Sequence, residues 1–148
     1  MQKCTLALGC FWKPEENFKN KPGIIQTEVG YAGGHNPKVT YEEVCTGNSG
    51  HAEVVQLTFD ENVIPYKKIL DLFFKMHDPT QKDMQFPDVG TQYRSEIFYE
   101  NEKQKKEALE IFDEYNKKHD GKVQTNISEI KNYCRAEEYH QKYIEKNR

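Results

Sequence analysis

A cysteine beside two large aromatic residues, in the segment Gly9-Cys10-Phe11-Trp12, carries the clearest chemistry of this sequence. The segment lies between a short apolar run and a charged stretch with helical character. Backbone N–H groups are unpaired where a strand meets a helix, and the helix dipole is positive there, so we expect Cys10 to be favoured as a thiolate. Phe11 and Trp12 offer an apolar wall to a small hydrophobic group. The segment therefore predicts a sulfur nucleophile next to an apolar pocket.

Four cysteines, Cys4, Cys10, Cys45 and Cys134, are scattered along the chain without a Cys-x-x-Cys pair. A chain of this size does not need a disulfide frame. No two Cys or His residues have the close spacing of zinc ligands. We therefore expect reduced thiols with a chemical role, no metal ion and no cofactor.

Length and charge are those of a globular protein. The 148 residues are enough for one domain with its own core, so we expect residues 1–148 to form a single domain. The net charge is −3, and basic side chains alternate with acidic ones, which argues against a nucleic-acid surface. No apolar run approaches the roughly 20 residues that span a membrane, and the N-terminus lacks the apolar core of a signal peptide. We therefore expect a cytoplasmic monomer without membrane contact.

Hydrophobic periodicity and turn residues predict five strands and three helices. Because the first six elements follow the order βαββαβ, we expect an α+β fold, a two-layer α/β sandwich whose mixed sheet has a ferredoxin-like core. The strands are Cys4–Leu8, Ile24–Tyr31, Glu53–Phe59, Tyr93–Tyr99 and Val123–Ile127, and the helices are Trp12–Lys19, a segment with Pro65 in its first turn, and Asn101–Lys118.

Two long polar segments, 35–50 and 77–90, separate these elements. They are too long for plain connections in a compact domain, so we expect them to be loops that carry the catalytic site. We also expect Ile25 and Leu109 to lie on the buried faces of their strand and helix. The residues after Ile127 are expected to form a polar, aromatic tail.

Four segments in a fixed order carry a family resemblance. They are Gly9-Cys10-Phe11-Trp12, Gly30-Tyr31-Ala32-Gly33-Gly34, Gly50-His51-Ala52-Glu53 and Asp88-Val89-Gly90-Thr91-Gln92-Tyr93-Arg94-Ser95. Together they are similar to the A-type peptide methionine sulfoxide reductases, and the similarity runs from Thr5 to about Tyr143. The resemblance implies a thiol-dependent enzyme that reduces the S epimer of methionine sulfoxide, free or in proteins. It also implies thioredoxin or another thiol as the reductant.

The chemistry of that reaction can be compared with the residues present. Methionine sulfoxide is a poor electrophile until its oxygen is protonated, so reduction needs a sulfur nucleophile, an acid, donors for the oxygen and a slot for the methyl group. The resemblance assigns the nucleophile to Cys10, which becomes a sulfenic acid, and the acid to Glu53. An unperturbed glutamate is protonated only about 0.2% of the time at pH 7. Glu53 must therefore be desolvated, and its place at the start of an apolar strand agrees.

The resemblance also assigns the residues around the substrate. Tyr41 and Tyr93 match the two tyrosines that hydrogen-bond the sulfoxide oxygen. Asp88 matches a polar or water-holding position, and Phe11 and Trp12 match the methyl pocket. Taken alone, each of these residues is equally an ordinary core or loop residue.

Thiol recycling is where the sequence departs from the family. Many members carry recycling cysteines in a glycine-rich C-terminal tail, whereas this chain has no cysteine after Cys134. Cys134 occupies a position where relatives usually have an aromatic residue near the site, and it is one candidate for the resolving thiol. Direct reduction of Cys10 by an external thiol is the alternative. Cys45 matches a cysteine often found there without a recycling role.

Two other classes of function remain open from the residues alone. A cysteine hydrolase or acyl transferase would pair Cys10 with His51 or His77. A non-catalytic domain would bind peptides that contain oxidised methionine. The resemblance gives both histidines a structural role, since the family mechanism needs no histidine base, and thiol consumption would separate an enzyme from a binding domain.

Overall fold

A six-stranded sheet organises the computed structural model, which describes residues 1–148. The order of its strands is β7-β6-β1-β3-β2-β8; β6 and β7 are parallel, and all other neighbours are antiparallel. In chain order the elements are β1 (Gln2–Leu8), α1 (Trp12–Phe18), β2 (Ile24–Ala32), α2 (Tyr41–Cys45), β3 (Ala52–Phe59), α3 (Tyr66–Met76), β4 (Met84–Gln85), β5 (Asp88–Val89), β6 (Ser95–Tyr99), α4 (Glu102–Lys118), β7 (Asn126–Glu129), β8 (Cys134–Arg135) and α5 (Tyr143–Lys146).

The predicted α+β architecture with a mixed sheet is confirmed. The inner strands β6, β1, β3 and β2 lie in the order that a βαββαβ core produces, and β7 and β8 extend the sheet at its two edges. Strands β4 and β5 form a separate hairpin. None of the helices combines the length and the apolar composition that crossing a membrane requires.

The main core lies between the sheet and its helices. Alternation along β1 and β3 directs Leu6, Val55 and Leu57 to one face, where they pack with Phe73 of α3 and Ile111 of α4. Each large side chain buried in this way contributes about 1.5–3 kcal/mol. Because Glu53 is two residues before Val55 on β3, its side chain lies on this same, helix-covered face.

The opposite face of the sheet is covered by the end of the chain. Ala7, Ala32 and Val54 belong to a small cluster on that face, and Ile130 and Tyr133 pack against it. The C-terminal residues are therefore an ordered part of the fold. Their sequence predicts only a polar, aromatic tail.

Both predicted loops contain short regular elements. The first loop holds α2, whose N-terminus is closed by a capping box between Thr40 and Glu43. The second holds the hairpin of β4 and β5. Elements of two to five residues are too short for hydrophobic periodicity to reveal.

Two residues that were predicted to be buried are exposed. A bulge between Ile24 and Gln26 shifts the register of β2 and turns Ile25 outward, so that Ile25 is 59% exposed. Leu109 lies on the outer side of α4 and is 46% exposed. In both cases the orientation of the residue on its strand or helix, and not its apolar side chain, determines whether it is buried.

Two predicted strand boundaries also move. Residues Thr91–Tyr93 form a 3-10 turn, so Tyr93 precedes strand β6 instead of beginning it. The last predicted strand starts later, at Asn126, because Val123 lies in the connection after α4.

Candidate active site

Cys10 lies in the turn between β1 and α1. The turn begins at Gly9, whose backbone φ of +96° belongs to the region that favours glycine. A Cβ atom at Gly9 would also lie 3.0 Å from the side chain of Gln85. This turn presents Cys10 at the end of the central strand, directly before the helix.

Glu53 of β3 is joined to this turn. The backbone N–H of Phe11 donates a hydrogen bond of 3.3 Å to Glu53 Oε1. The carboxyl group is 1% exposed, and burial raises its pKa to about 8; the hydrogen bond from Phe11 opposes this increase, and the charge of Asp88 adds to it by a smaller amount. At pH 7 such a carboxyl is about 90% protonated. The desolvation that the chemistry demands of Glu53 is therefore present.

The Cys10 thiol is protonated, whereas a thiolate was expected from the sequence. Burial raises its pKa to about 12; the backbone N–H of Trp12 opposes this increase, and the negative charges of Asp88 and of an ionised Glu53 add to it. The prediction of a favoured thiolate is wrong for the substrate-free protein, because desolvation exceeds the effect of a helix of only seven residues. In this state Cys10 is a neutral thiol.

Tyr41 and Tyr93 come from the two long loops. Tyr41 is the first residue of α2, and Tyr93 ends the 3-10 turn before β6. Burial raises the pKa of both hydroxyls, and the charge of Glu53 contributes to both; for Tyr41 the neighbouring Cys45 thiol contributes more. The charge of Cys10 also acts on Tyr93. Both tyrosines are therefore neutral hydrogen-bond donors in the electrostatic environment of Glu53.

Arg94 holds the turn that carries Tyr93. Its guanidinium donates to the carbonyl of Thr91 at 2.9 Å and to the carbonyl of Gly50 at 3.0 Å. It also forms a buried ion pair with Glu96 at 2.7 Å. These bonds connect the turn to the segment before β3, and so fix Tyr93 relative to the strand of Glu53.

Asp88 is half-buried on the hairpin of the second loop. Its charge raises the pKa of the Cys10 thiol, the Glu53 carboxyl and the Tyr93 hydroxyl. The structure thus brings Asp88 into the same electrostatic environment as Cys10, Glu53 and Tyr93. No group of three or more His, Cys, Asp or Glu side chains is arranged to hold a metal ion.

Phe11 and Trp12 are contacted by the C-terminal segment. Phe11 is fully buried against Tyr31, with ring centroids 5.8 Å apart. Trp12 is half-buried and stacks on Tyr143 at 3.8 Å with the rings 8° from parallel. Its indole N–H donates to His140 Nδ1 at 3.0 Å. The two aromatic residues therefore form a fixed surface next to Cys10.

Glu137 is a second C-terminal contact that the sequence did not reveal. One carboxylate oxygen accepts from the Tyr31 hydroxyl at 2.7 Å, and the other accepts from the backbone N–H of Tyr41 at 2.8 Å. Although burial alone raises the pKa of Glu137, these donors lower it overall. As an ionised group Glu137 anchors the start of α2, and with it the position of Tyr41.

The two histidines near the site have other partners. His51 Nε2 lies 3.0 Å from the carbonyl of Asn132. His77 Nδ1 donates to the carbonyl of Phe73, its Nε2 accepts from Ser95, and burial lowers its pKa to about 4. These bonds agree with the structural role expected of both residues and oppose a Cys–His dyad.

The other cysteines differ in their surroundings. Cys4 is buried, Cys45 is exposed at the end of α2, and all four thiols are free. Cys134 is half-buried on the edge strand β8, and its thiol donates to the carbonyl of Val39 at 3.6 Å. On the sheet, Cys134 pairs with Tyr31, which in turn pairs with Glu53. Strand β2 therefore separates Cys134 from Glu53.

The protonation states of Glu53 and Cys10 indicate the class of enzyme to which this site belongs. A carboxyl that is protonated at neutral pH cannot accept the proton of Cys10, and His51 and His77 are bonded to other groups, so neither of the Cys–His pairs that a cysteine hydrolase would use here is formed. A thiol next to a proton donor is instead suited to a thiol-dependent oxidoreductase.

Comparison with known proteins gives the family. The family model of peptide methionine sulfoxide reductase matches residues 2–148. The peptide methionine sulfoxide reductase MsrA of Pelagibacter ubique is 56% identical over 146 residues, which cover 99% of each chain. The chain belongs to the peptide methionine sulfoxide reductase family.

Solved structures similar to this chain agree with the family assignment. The reduced form of Mxr1 from Saccharomyces cerevisiae has a TM-score of 0.93 to this chain and is 40% identical, covering 99% of this chain and 85% of its own. Mxr1 in complex with Trx2 has a TM-score of 0.67 at 29% identity, covering 96% of this chain and 84% of its own.

Proposed function

We propose that this chain reduces the S epimer of methionine sulfoxide, free or within proteins, to methionine, with Cys10 as the nucleophile. The observation that carries the proposal is the Glu53 carboxyl, which is buried, bonded to the backbone N–H of Phe11 and protonated at neutral pH. Sulfoxide reduction needs an acid of this kind next to a thiol, because the sulfoxide oxygen must be protonated before sulfur is attacked.

The chemical step transfers one oxygen atom between two sulfur atoms. The Cys10 sulfur attacks the sulfoxide sulfur, Glu53 gives its proton to the sulfoxide oxygen, and the hydroxyls of Tyr41 and Tyr93 donate hydrogen bonds to that oxygen. The thiolate, the protonated carboxyl and the sulfoxide become a Cys10 sulfenic acid, a Glu53 carboxylate and a thioether. Cys10 is oxidised by two electrons, methionine sulfur is reduced by two, and Glu53 regains its proton from solvent.

Cys10 releases its proton to solvent when the substrate binds. In the substrate-free protein the thiol is neutral chiefly because it is buried, and the charge of Asp88 also raises its pKa. The positive sulfur end of the S=O dipole favours an anion opposite it, and Glu53, being protonated, adds no opposing charge. The nucleophile thus becomes reactive only when a sulfoxide is in place.

The methyl group is received by Phe11 and Trp12, which present an apolar aromatic surface beside Cys10. Asp88 is a half-buried polar group at the same site, suited to hold a water molecule or a polar atom of the substrate. When the methyl group, the oxygen and the direction of attack are all fixed, only one configuration at sulfur leaves the rest of the substrate in solvent. This is the physical basis for selecting one epimer.

Separated epimers test this proposal directly. With thioredoxin or dithiothreitol as reductant, we expect the S epimer to be turned over and the R epimer to be inert, with one equivalent of thiol pair consumed per methionine formed. Steady-state assays with free methionine sulfoxide and with an oxidised peptide measure both. Equal turnover of the two epimers, or binding without thiol consumption, would overturn the proposal.

For recycling we propose that Cys134 is the resolving thiol. Its attack on the Cys10 sulfenic acid forms a disulfide and releases water, and a dithiol such as thioredoxin then reduces the disulfide. The likeness to Mxr1 in its complex with Trx2 supports a thioredoxin as that dithiol. A disulfide requires Cα atoms within about 7 Å. Cys134 lies across β2 from Glu53, two strand spacings of about 4.8 Å away, so we expect Cys134 to move towards the Cys10 turn for this step. β8 has only two residues and lies at the edge of the sheet, so few strand pairings have to break.

One turnover without reductant tests the resolving role. We expect mass spectrometry of the unreduced protein to find a Cys10–Cys134 disulfide. In Cys134→Ser we expect a Cys10 sulfenic acid that reacts with dimedone, and Cys45→Ser, as the matched control, should form the disulfide normally. If the native protein keeps a dimedone-reactive Cys10 and forms no disulfide, an external thiol reduces Cys10 directly.

A further inference from the structure

His140 links three of the residues around the proposed substrate slot. It ends the 3-10 turn Glu138–His140, is 1% exposed, and accepts the Trp12 indole N–H at its Nδ1. Its ring centroid lies 4.5 Å from that of Tyr41 and 5.1 Å from that of Phe11. No other side chain among the described contacts touches Phe11, Trp12 and Tyr41 together.

The bond to Trp12 defines the protonation state of His140. Nδ1 can accept from the indole only if it carries a lone pair, so the ring is neutral with its proton on Nε2. Burial lowers the pKa of His140, which agrees with a neutral ring. Nε2 itself is buried without a hydrogen-bond partner. A buried donor without a partner is costly, so the fold keeps this orientation of the ring at the expense of stability.

Stacking on Tyr143 cannot replace this bond. Parallel rings 3.8 Å apart fix the tilt and height of the indole, but stacking is not directional and lets the rings slide over each other through small changes in the Trp12 side-chain torsions. The directional N–H bond to His140 opposes that sliding. The edge that Trp12 presents next to Cys10 is therefore set by His140.

We propose that His140 is a positioning residue that sets the width of the methyl slot by fixing Trp12, and the ring of Tyr41 beside it, and so determines specificity for a methyl sulfoxide over larger alkyl sulfoxides. The substrate part of this proposal rests on the function proposed above. The positioning of Trp12 does not, since it follows from the hydrogen bond and the ring contacts alone.

Two variants of nearly equal size separate the acceptor from simple packing. In His140→Asn the amide oxygen stands about where Nδ1 stood and can still accept from Trp12, whereas His140→Leu fills the same space without an acceptor. Trp12 is the only tryptophan, so its fluorescence reports on the surroundings of this one side chain. We expect a longer emission wavelength and stronger acrylamide quenching in His140→Leu, and values close to the native protein in His140→Asn.

Kinetics provide a second readout. Loss of one hydrogen bond of ordinary strength corresponds to about three- to tenfold in binding. In His140→Leu we expect KM for methyl sulfoxide to rise by about that factor with kcat changed less, because the slot holds the methyl group equally in the ground and transition states. The preference for methyl over ethyl sulfoxide, as a ratio of kcat/KM values, should fall by a similar factor. His140→Asn should restore both, and His35→Asn, an exposed histidine, should change neither.

The outcomes separate this proposal from the proposed function. If the protein reduces no sulfoxide but His140→Leu still changes Trp12 emission, the function fails and the positioning of Trp12 stands. If reduction is normal and His140→Leu leaves both the emission and the methyl-to-ethyl ratio unchanged, the role of His140 is refuted. Circular dichroism confirms that each variant is folded. Should His140→Leu not fold, His140→Gln, whose oxygen is one bond too far to replace Nδ1, gives the same comparison against His140→Asn.

Discussion

Cys10→Ser is expected to lower the rate of methionine sulfoxide reduction by more than about 10⁴-fold. A serine hydroxyl is a far weaker nucleophile than a thiolate towards sulfur. Oxygen transfer to it would also form a hydroperoxide with a weak O–O bond, so no product comparable to the sulfenic acid exists. Chromatography of methionine after mixing enzyme with excess sulfoxide and no reductant measures the loss. The native protein should release about one equivalent and Cys10→Ser none.

Cys45→Ser provides the matched control for that experiment. Cys45 is exposed at the end of α2, so its replacement should leave the fold and the single-turnover release of methionine intact. Release of a full equivalent by Cys10→Ser would show that another group attacks the sulfoxide, and the assignment of the nucleophile would have to be abandoned.

The burial of Glu53 could be anticipated from local patterns. An acidic residue at the start of an apolar strand is expected to be desolvated, and the burial of Glu53 agrees with that expectation. The order of the main elements along the chain was equally accessible, since the predicted strands that correspond to β1, β2, β3 and β6 were bounded by turn residues or a helical pattern. Both inferences depend on residues that are close together in the sequence.

The protonation of Cys10 could not be anticipated in this way. Its position before a helix suggested a thiolate, but the charges and the packing that raise its pKa come from β3 and from the hairpin that carries Asp88. Local sequence reports the helix end and not the burial. The balance between these two effects exists only in the folded chain.

The C-terminal segment shows the same limit. Trp12 and His140 are separated by 128 positions, and Tyr31 and Glu137 by 106. The density of polar and aromatic residues after Cys134 was a signal that this segment does more than end the chain. It did not reveal which side chains would meet, because those pairings depend on β8 adding to the edge of the sheet beside β2.

Glu53→Gln is expected to slow reduction by about 10²–10⁴-fold, because glutamine retains the acceptor for the Phe11 N–H but has no proton to transfer. The native enzyme needs Glu53 protonated while Cys10 is ionised in the substrate complex. Its single-turnover rate at saturating sulfoxide should therefore fall as the pH rises through the pKa of Glu53 in that complex, which in the substrate-free protein is about 8. Stopped-flow mixing across pH 6–10 measures this decline, which should be absent in Glu53→Gln.

Glu28→Gln provides the control. Glu28 lies on β2 and is bonded to Tyr133 and Arg135, so this variant should keep the alkaline decline in rate. An unchanged alkaline decline in Glu53→Gln would assign the acid to another residue.

The same substitution should have the opposite effect on stability. The pKa of Glu53 is higher in the folded state than in the unfolded chain, so folding favours its protonated form. The native protein is therefore unaffected below the ordinary glutamate pKa, and loses stability as the pH rises from there to about 8, at about 1.4 kcal/mol per pKa unit. Glu53→Gln carries no charge to bury. At pH 9 Glu53→Gln should unfold at a higher temperature than the native protein, and at pH 5 at a similar temperature. Calorimetry at the two pH values measures this.

A variant that is less stable at both pH values would mean that Glu53 is retained for packing. A variant that is more stable only at alkaline pH, and nearly inactive, would mean that the fold tolerates a destabilising carboxyl because the reaction needs its proton.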